Sequence, residues 1–106
     1  MDRVRYHDET SRVFSLVVRV LDEWDPDVVE AERSGDILKI IFPDGVQFIL
    51  NTQSASQQIW LAGASRGWHF DFHPERMAWV CPKSGDELLS TLSGLIGEKL
   101  GEPFSW

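Results

Sequence analysis

A chain of 106 residues with 42% apolar and 25% charged residues has room for one hydrophobic core and not for two, and it lies outside disordered and fibrous compositions. Seventeen Asp and Glu against ten Lys and Arg, a formal charge of −7, oppose a phosphate backbone and an anionic membrane surface; no nucleic acid and no membrane partner is expected, and cations or basic protein surfaces are favoured. The one cysteine, Cys81, excludes an internal disulfide and a thiolate metal cluster made by this chain alone, and fits a reducing compartment.

Residues 2–24 contain no Gly or Pro, and Tyr6, Val13, Phe14, Val17, Leu21 and Trp24 wrap one face at helical period. The spacing predicts a long amphipathic helix that stops at Asp25-Pro26-Asp27, because proline cannot continue a helix and disfavours helical geometry in the residue before it. Residues 1–14 carry Asp2, Asp8 and Glu9 and no apolar run, so neither a secretory signal nor an intact transit peptide is expected. No stretch reaches the ~20 apolar residues of a membrane helix.

Residues 28–33, 37–42 and 46–51 read as three strands joined by tight turns at Ser34-Gly35-Asp36 and Pro43-Asp44-Gly45, the pattern of an antiparallel meander. Residues 58–62, 68–73 and 77–81 add three more, separated by Gly-rich or Pro-containing connections. Ser84-Gly85-Asp86-Glu87 has the spacing of a capping box, followed at helical period by Leu88, Leu89, Leu92, Leu95, Ile96 and Leu100, so a second helix is expected. The fold class is therefore α+β, a two-layer α-β sandwich in one domain, residues 1–106: two terminal helices on one face of an antiparallel sheet of about six strands, the other face left to water.

Alternation along the strands assigns Val46, Phe48, Leu50, Ile59, Leu61, Trp68, Phe70 and Phe72 inward, and Gln47, Ile49, Asn51, Gln58, Trp60, His69, Asp71 and His73 outward, with Gln53 just past a strand end. A Trp among amides on a rigid open face is what a protein interface favours, since the ring supplies contact area with little entropy to lose; the plainer reading is ordinary sheet surface with Trp60 covered by a loop. Asp22, Glu23, Asp25, Asp27, Glu30 and Glu32 form an acidic run across the helix end, the turn and the first strand. Glu30 and Glu32 share a strand face, and an adjacent helix end would set Asp22 and Glu23 beside them. Such oxygen ligands suit hard cations, and their exposure makes any site labile; a merely solubilising face is the commoner meaning of a charge run.

Other constellations fail. The acidic run lacks the third ligand and the turn glycine of a calcium loop. His69 and His73 alternate along a strand about 13 Å apart and cannot share one zinc ion. Cys81 is assigned inward with Met77 and Trp79, a core thiol rather than a nucleophile. Gly63-Ala64-Ser65-Arg66-Gly67 joins two strands and reads as a turn.

The order and spacing of Phe42-Pro43-Asp44-Gly45, Asn51-Thr52-Gln53, Gln58-Ile59-Trp60-Leu61-Ala62, Gly67-Trp68-His69-Phe70-Asp71 and Trp79-Val80-Cys81, with Leu21-Asp22-Glu23-Trp24-Asp25 in the first helix and Ser84-Gly85 before the last, resemble the frataxin family, in particular its bacterial CyaY-type members. The resemblance spans nearly the whole chain. It implies the same sandwich and a role in iron-sulfur cluster assembly: binding a cysteine desulfurase and its scaffold, modulating cluster synthesis, and holding Fe2+ or Fe3+ weakly and reversibly, as donor or sensor, with no organic cofactor. The family's acidic ridge falls on Asp22, Glu23, Asp25, Asp27, Glu30 and Glu32. Its partner-binding surface falls on Asn51, Gln53, Gln58 and Trp60, which His69 and Asp71 extend. No catalytic residue is expected; a ferroxidase or iron-storage protein using surface carboxylates is the alternative. A monomer in the bacterial cytoplasm is expected, with oligomerisation on iron, or a mitochondrial matrix location after transit-peptide removal, as the alternatives. The chain departs from the family at Val18 and Arg19, where acids are usual, and at Ala55, where proline is usual. Arg19 stands three and four residues before Asp22 and Glu23, within pairing distance on a helix.

Overall fold

The computed structural model describes residues 1–106 and begins with helix α1, Arg3–Leu21. Asp2 caps it, its carboxylate accepting the Arg5 N–H at 2.7 Å, which satisfies a donor that a helix start leaves open. The helix is shorter than the expected 2–24. Beyond it, the N–H groups of Glu23 and Trp24 donate to the carbonyls of Val20 and Leu21, the tighter three-residue step common at helix ends. The Asp25 carboxylate then accepts the Asp27 N–H at 2.9 Å, closing a turn around Pro26.

Six strands follow, β1 Glu30–Ser34, β2 Ile37–Ile41, β3 Gln47–Gln53, β4 Gln58–Gly63, β5 Arg66–His73 and β6 Ala78–Val80. They form one sheet in sequence order with every neighbouring pair antiparallel. Helix α2, Leu88–Leu100, closes the α+β sandwich. Phe14, Val17 and Leu21 of α1, Leu88, Leu92 and Ile96 of α2, and inward strand residues such as Leu38, Ile40, Leu50, Ile59 and Phe70 share one core. Burying each such side chain is worth about 1.5–3 kcal/mol, which fixes the face each strand turns to the helices.

Three local expectations are corrected. Val46 is exposed rather than core: it lies before the paired register, in the turn where Gly45 takes φ +88° and the Asp44 carboxylate accepts the Val46 N–H at 3.0 Å. Met77 is 60% exposed, because its own backbone is left-handed, φ +50°, and the alternation restarts only at β6. Ser84 opens no helix: its hydroxyl accepts the Asp86 N–H, Gly85 turns the chain at φ +80°, and Glu87 is the cap of α2, accepting the N–H groups of Leu89 and Ser90 at 2.8 and 3.0 Å.

Candidate docking face and acidic edge

On the face turned away from the helices, register gathers the outward residues into rows. Asn51, Trp60 and His69 stand side by side across β3, β4 and β5, and Gln53, Gln58 and Asp71 form the next row on that face. Gln53 is the last paired residue of β3 rather than a residue past its end.

The rows are tied together by named contacts. Trp60 stacks on His69 with ring centroids 4.0 Å apart and planes inclined by 7°. The Trp60 indole N–H donates to Gln58 Oε1 at 2.9 Å, and Gln58 Nε2 donates to Asp71 Oδ1 at 2.9 Å. Both ends of the Gln58 amide are therefore engaged, which fixes its orientation and holds the indole in one rotamer. From the helix side, the Tyr6 hydroxyl donates to the Gln58 backbone carbonyl at 2.7 Å; burial pushes that hydroxyl's pKa up. Trp60 is half-buried, flanked by His69 rather than covered by a loop, and His69 is exposed. His73 stands apart, its Nδ1 3.3 Å from the Glu75 carboxylate.

Register also places Ile37, Ile41, Ile49 and Ala62 on this face, Ile37 opposite Asn51 and Ile49 opposite Ala62. Ile37 and Ile41 escape a reading by residue type, since two isoleucines in a strand look like core. Their alternation with buried Leu38 and Ile40 is the signal that finds them.

The six acids are all exposed. Asp22 caps the end of α1, Glu23 follows it, and Asp25 and Asp27 build the turn. Glu30 and Glu32 lie opposite Ile41 and Lys39 in the sheet-edge strand β1, while Ala31 and Arg33 alternate with them. Arg33 reaches over the Phe14 ring of α1, so the helix layer is on its side and the two glutamates face the open side. Glu30 and Glu32 thus turn to the open side of the edge strand, and no three His, Cys, Asp or Glu residues converge into a metal-binding cluster. Arg19 pairs with neither Asp22 nor Glu23; the ion pairs are Arg12–Glu9, His73–Glu75 and Lys99–Asp44. The helix ends at Leu21, so Glu23 leaves the path that four-residue pairing requires, and Arg19 lies instead along a groove beside Leu16 and Trp79.

Cys81 is a core residue, 6% exposed. Burial pushes its thiol pKa up, and hydrogen bonds from the Ser84 hydroxyl and nearby backbone N–H groups outweigh this, holding it below its ordinary value.

A family model described as a frataxin-like domain matches residues 1–102. The iron-sulfur cluster assembly protein CyaY of Stutzerimonas stutzeri is 37% identical over 102 residues, covering 96% of this chain and 92% of its own. That of Pseudomonas fluorescens is 30% identical over 106 residues, covering 100% and 96%. Among solved structures, the frataxin of Psychromonas ingrahamii, from the CyaY family, has a TM-score of 0.88 at 25% identity, covering 99% of this chain and 97% of that one. A trimeric frataxin from the yeast Saccharomyces cerevisiae, solved as a ferrous complex, shares the fold at a TM-score of 0.70 and 22% identity, covering 92% and 86%.

Proposed function

The chain belongs to the frataxin-like family, and on that premise we propose that residues 1–106, acting as one domain, are an iron-sulfur cluster assembly protein that docks on a cysteine desulfurase and its scaffold and modulates cluster synthesis. The observation that carries this reading is the open face of β3, β4 and β5, where a Trp stacked on His69 is locked by the Gln58 amide. A large ring already held in one rotamer loses little entropy on binding, which is the property of an interface anchor.

The acidic edge complements this role in two ways. Asp22, Glu23, Asp25, Asp27, Glu30 and Glu32 attract basic protein surface, and their hard oxygen ligands hold Fe2+ or Fe3+ as cargo, weakly and reversibly because each carboxylate stays in water. The protein makes no bond itself, needs no organic cofactor, and works as a monomer in the bacterial cytoplasm.

Trp60→Ala tests the reading. Binding to a purified desulfurase–scaffold complex, measured by calorimetry, is expected to weaken at least about tenfold, the scale of an interface hot spot, while circular dichroism retains the α+β signature. Undiminished affinity would overturn the assignment of the docking face.

A further inference from the structure

The open face and the helix layer are joined through Gln58, the first residue of β4. Its side-chain amide holds the Trp60 indole and the Asp71 carboxylate on the open face, while its backbone carbonyl accepts the Tyr6 hydroxyl of α1 at 2.7 Å. Tyr6 is 6% exposed, and its ring meets the inward Trp79 edge-on with centroids 6.0 Å apart. The hydroxyl therefore comes from a seated side chain and not a mobile one. Burial raises its pKa above the ordinary 10.0, which keeps it a donor at neutral pH.

The strand needs such a tie at this point. Gln58 follows a tight turn whose last residue, Gln57, takes a left-handed φ of +53°, a conformation that side chains other than glycine adopt rarely. The start of the chain grips both residues. Gln57 Nε2 donates to the Met1 backbone carbonyl at 2.8 Å, and Tyr6 holds Gln58 one position later. The Tyr6 bond fixes the plane of the Gln58–Ile59 peptide, and with it the direction in which the Gln58 side chain leaves the backbone. From there the amide has one orientation that lets Oε1 receive the indole N–H while Nε2 reaches Asp71, because oxygen only accepts and nitrogen only donates.

We infer that Tyr6 is a positioning residue of the docking face: through the Gln58 backbone it holds the amide that locks Trp60, so that the helix layer sets the geometry of an anchor on the opposite side of the sheet. The inference rests on the docking role proposed above and adds how the anchor is kept ready. A side chain that must be ordered on binding weakens a complex by about two- to tenfold relative to one already held. Tyr6→Phe removes the hydroxyl and keeps the ring, so it releases the Gln58 carbonyl and leaves the aromatic contact with Trp79 in place.

The test compares wild type, Tyr6→Phe, Trp60→Ala and, as control, Thr10→Val. Thr10 is 4% exposed one turn further along α1, and its hydroxyl donates to the His7 carbonyl at 2.9 Å, so Thr10→Val also removes one buried hydroxyl bond from this helix but none from Gln58. Two quantities are read: hydrogen exchange of the indole N–H groups by NMR, and binding to the purified desulfurase–scaffold complex by calorimetry. The indoles of Trp68 and Trp106, which donate to Asp86 and to the Leu89 carbonyl, are internal references. In Tyr6→Phe the Trp60 N–H is expected to exchange about fivefold faster relative to both references, with binding weakened by about fivefold, whereas Thr10→Val changes either by less than about twofold. Trp60 exchange that stays in step with the references in Tyr6→Phe, or that rises as much in Thr10→Val, reduces Tyr6 to general stability and overturns the inference. Undiminished binding in Tyr6→Phe, with binding lost in Trp60→Ala, also overturns it and leaves the docking face standing. Unchanged binding in Trp60→Ala removes the docking face and the inference together.

Discussion

A Cβ built on Gly63 would stand 2.7 Å from Cδ1 of Phe48, a ring that is itself 2% exposed and cannot swing aside into water. The glycine is present for close approach and not for its backbone freedom. The left-handed residues of the β4–β5 turn are Ala64 and Ser65, at φ +52° and +61°. A turn was legible at this point in the sequence from the glycine-rich pentad. Which of its residues carries the constraint was not, since the clash arises from a ring fifteen positions away. Gly63→Ala is expected to cost about 1–3 kcal/mol through overpacking, read as a lower midpoint in urea with an unchanged slope. A loss within 0.5 kcal/mol, the range of ordinary surface changes, would show that Phe48 yields freely. Val46 and Met77 carry the same lesson: both have the parity and hydrophobicity of core residues, and both are exposed because a turn interrupts the alternation on which parity depends.

Between elements, the clearest tie outside the core joins the end of α2 to the β2–β3 turn. Lys99 donates to the Asp44 carboxylate and lies over the Phe42 ring, while Asp44 also accepts the Val46 N–H. The hydrogen bond from Lys99 is the main cause that holds the Asp44 pKa below its ordinary 3.8, with the Val46 N–H second. A carboxylate whose pKa is lower in the folded state binds its proton more tightly when unfolded. Its stabilising contribution is therefore complete above the ordinary pKa and is lost as pH falls through the folded one. The stability gap between wild type and Asp44→Asn, measured by urea unfolding from pH 7 downwards, is expected to stay level until the pH nears 3.8 and to close below it. A gap that persists unchanged in acid would mean that the tie works by packing alone. Periodicity made both elements visible, down to the faces they bury, but the pairing of Lys99 with Asp44, 55 positions apart, depends on how α2 lies across the sheet.

Across the whole molecule, the acids and the docking centre occupy different places, and the division follows from register. Ala31 pairs with Ile40, which is buried, and Glu32 pairs with Lys39, which is exposed, so Glu30 and Glu32 face the open side while Asp22 to Asp27 close the helix end and the turn after it. The sequence alone shows six acids within eleven residues; it does not show that a strand's worth of them turns to the opposite side from the helix. With no three carboxylates converging, Fe2+ should meet two loose sets of ligands rather than one chelate, each ion keeping much of its water. An anaerobic NMR titration separates these cases, with Mg2+ as the control for charge alone. Broadening of amide signals is expected in residues 22–27 and separately around Glu30 and Glu32, with Trp60 and His69 unaffected. Glu30→Gln should then diminish only the strand set and shift the apparent affinity of the turn set by less than about threefold, well short of the tenfold that 1.4 kcal/mol of coupling produces. If that single substitution instead abolishes broadening throughout residues 22–32, the six carboxylates close on one shared ion in solution, and the acidic edge is a built site whose geometry iron itself completes.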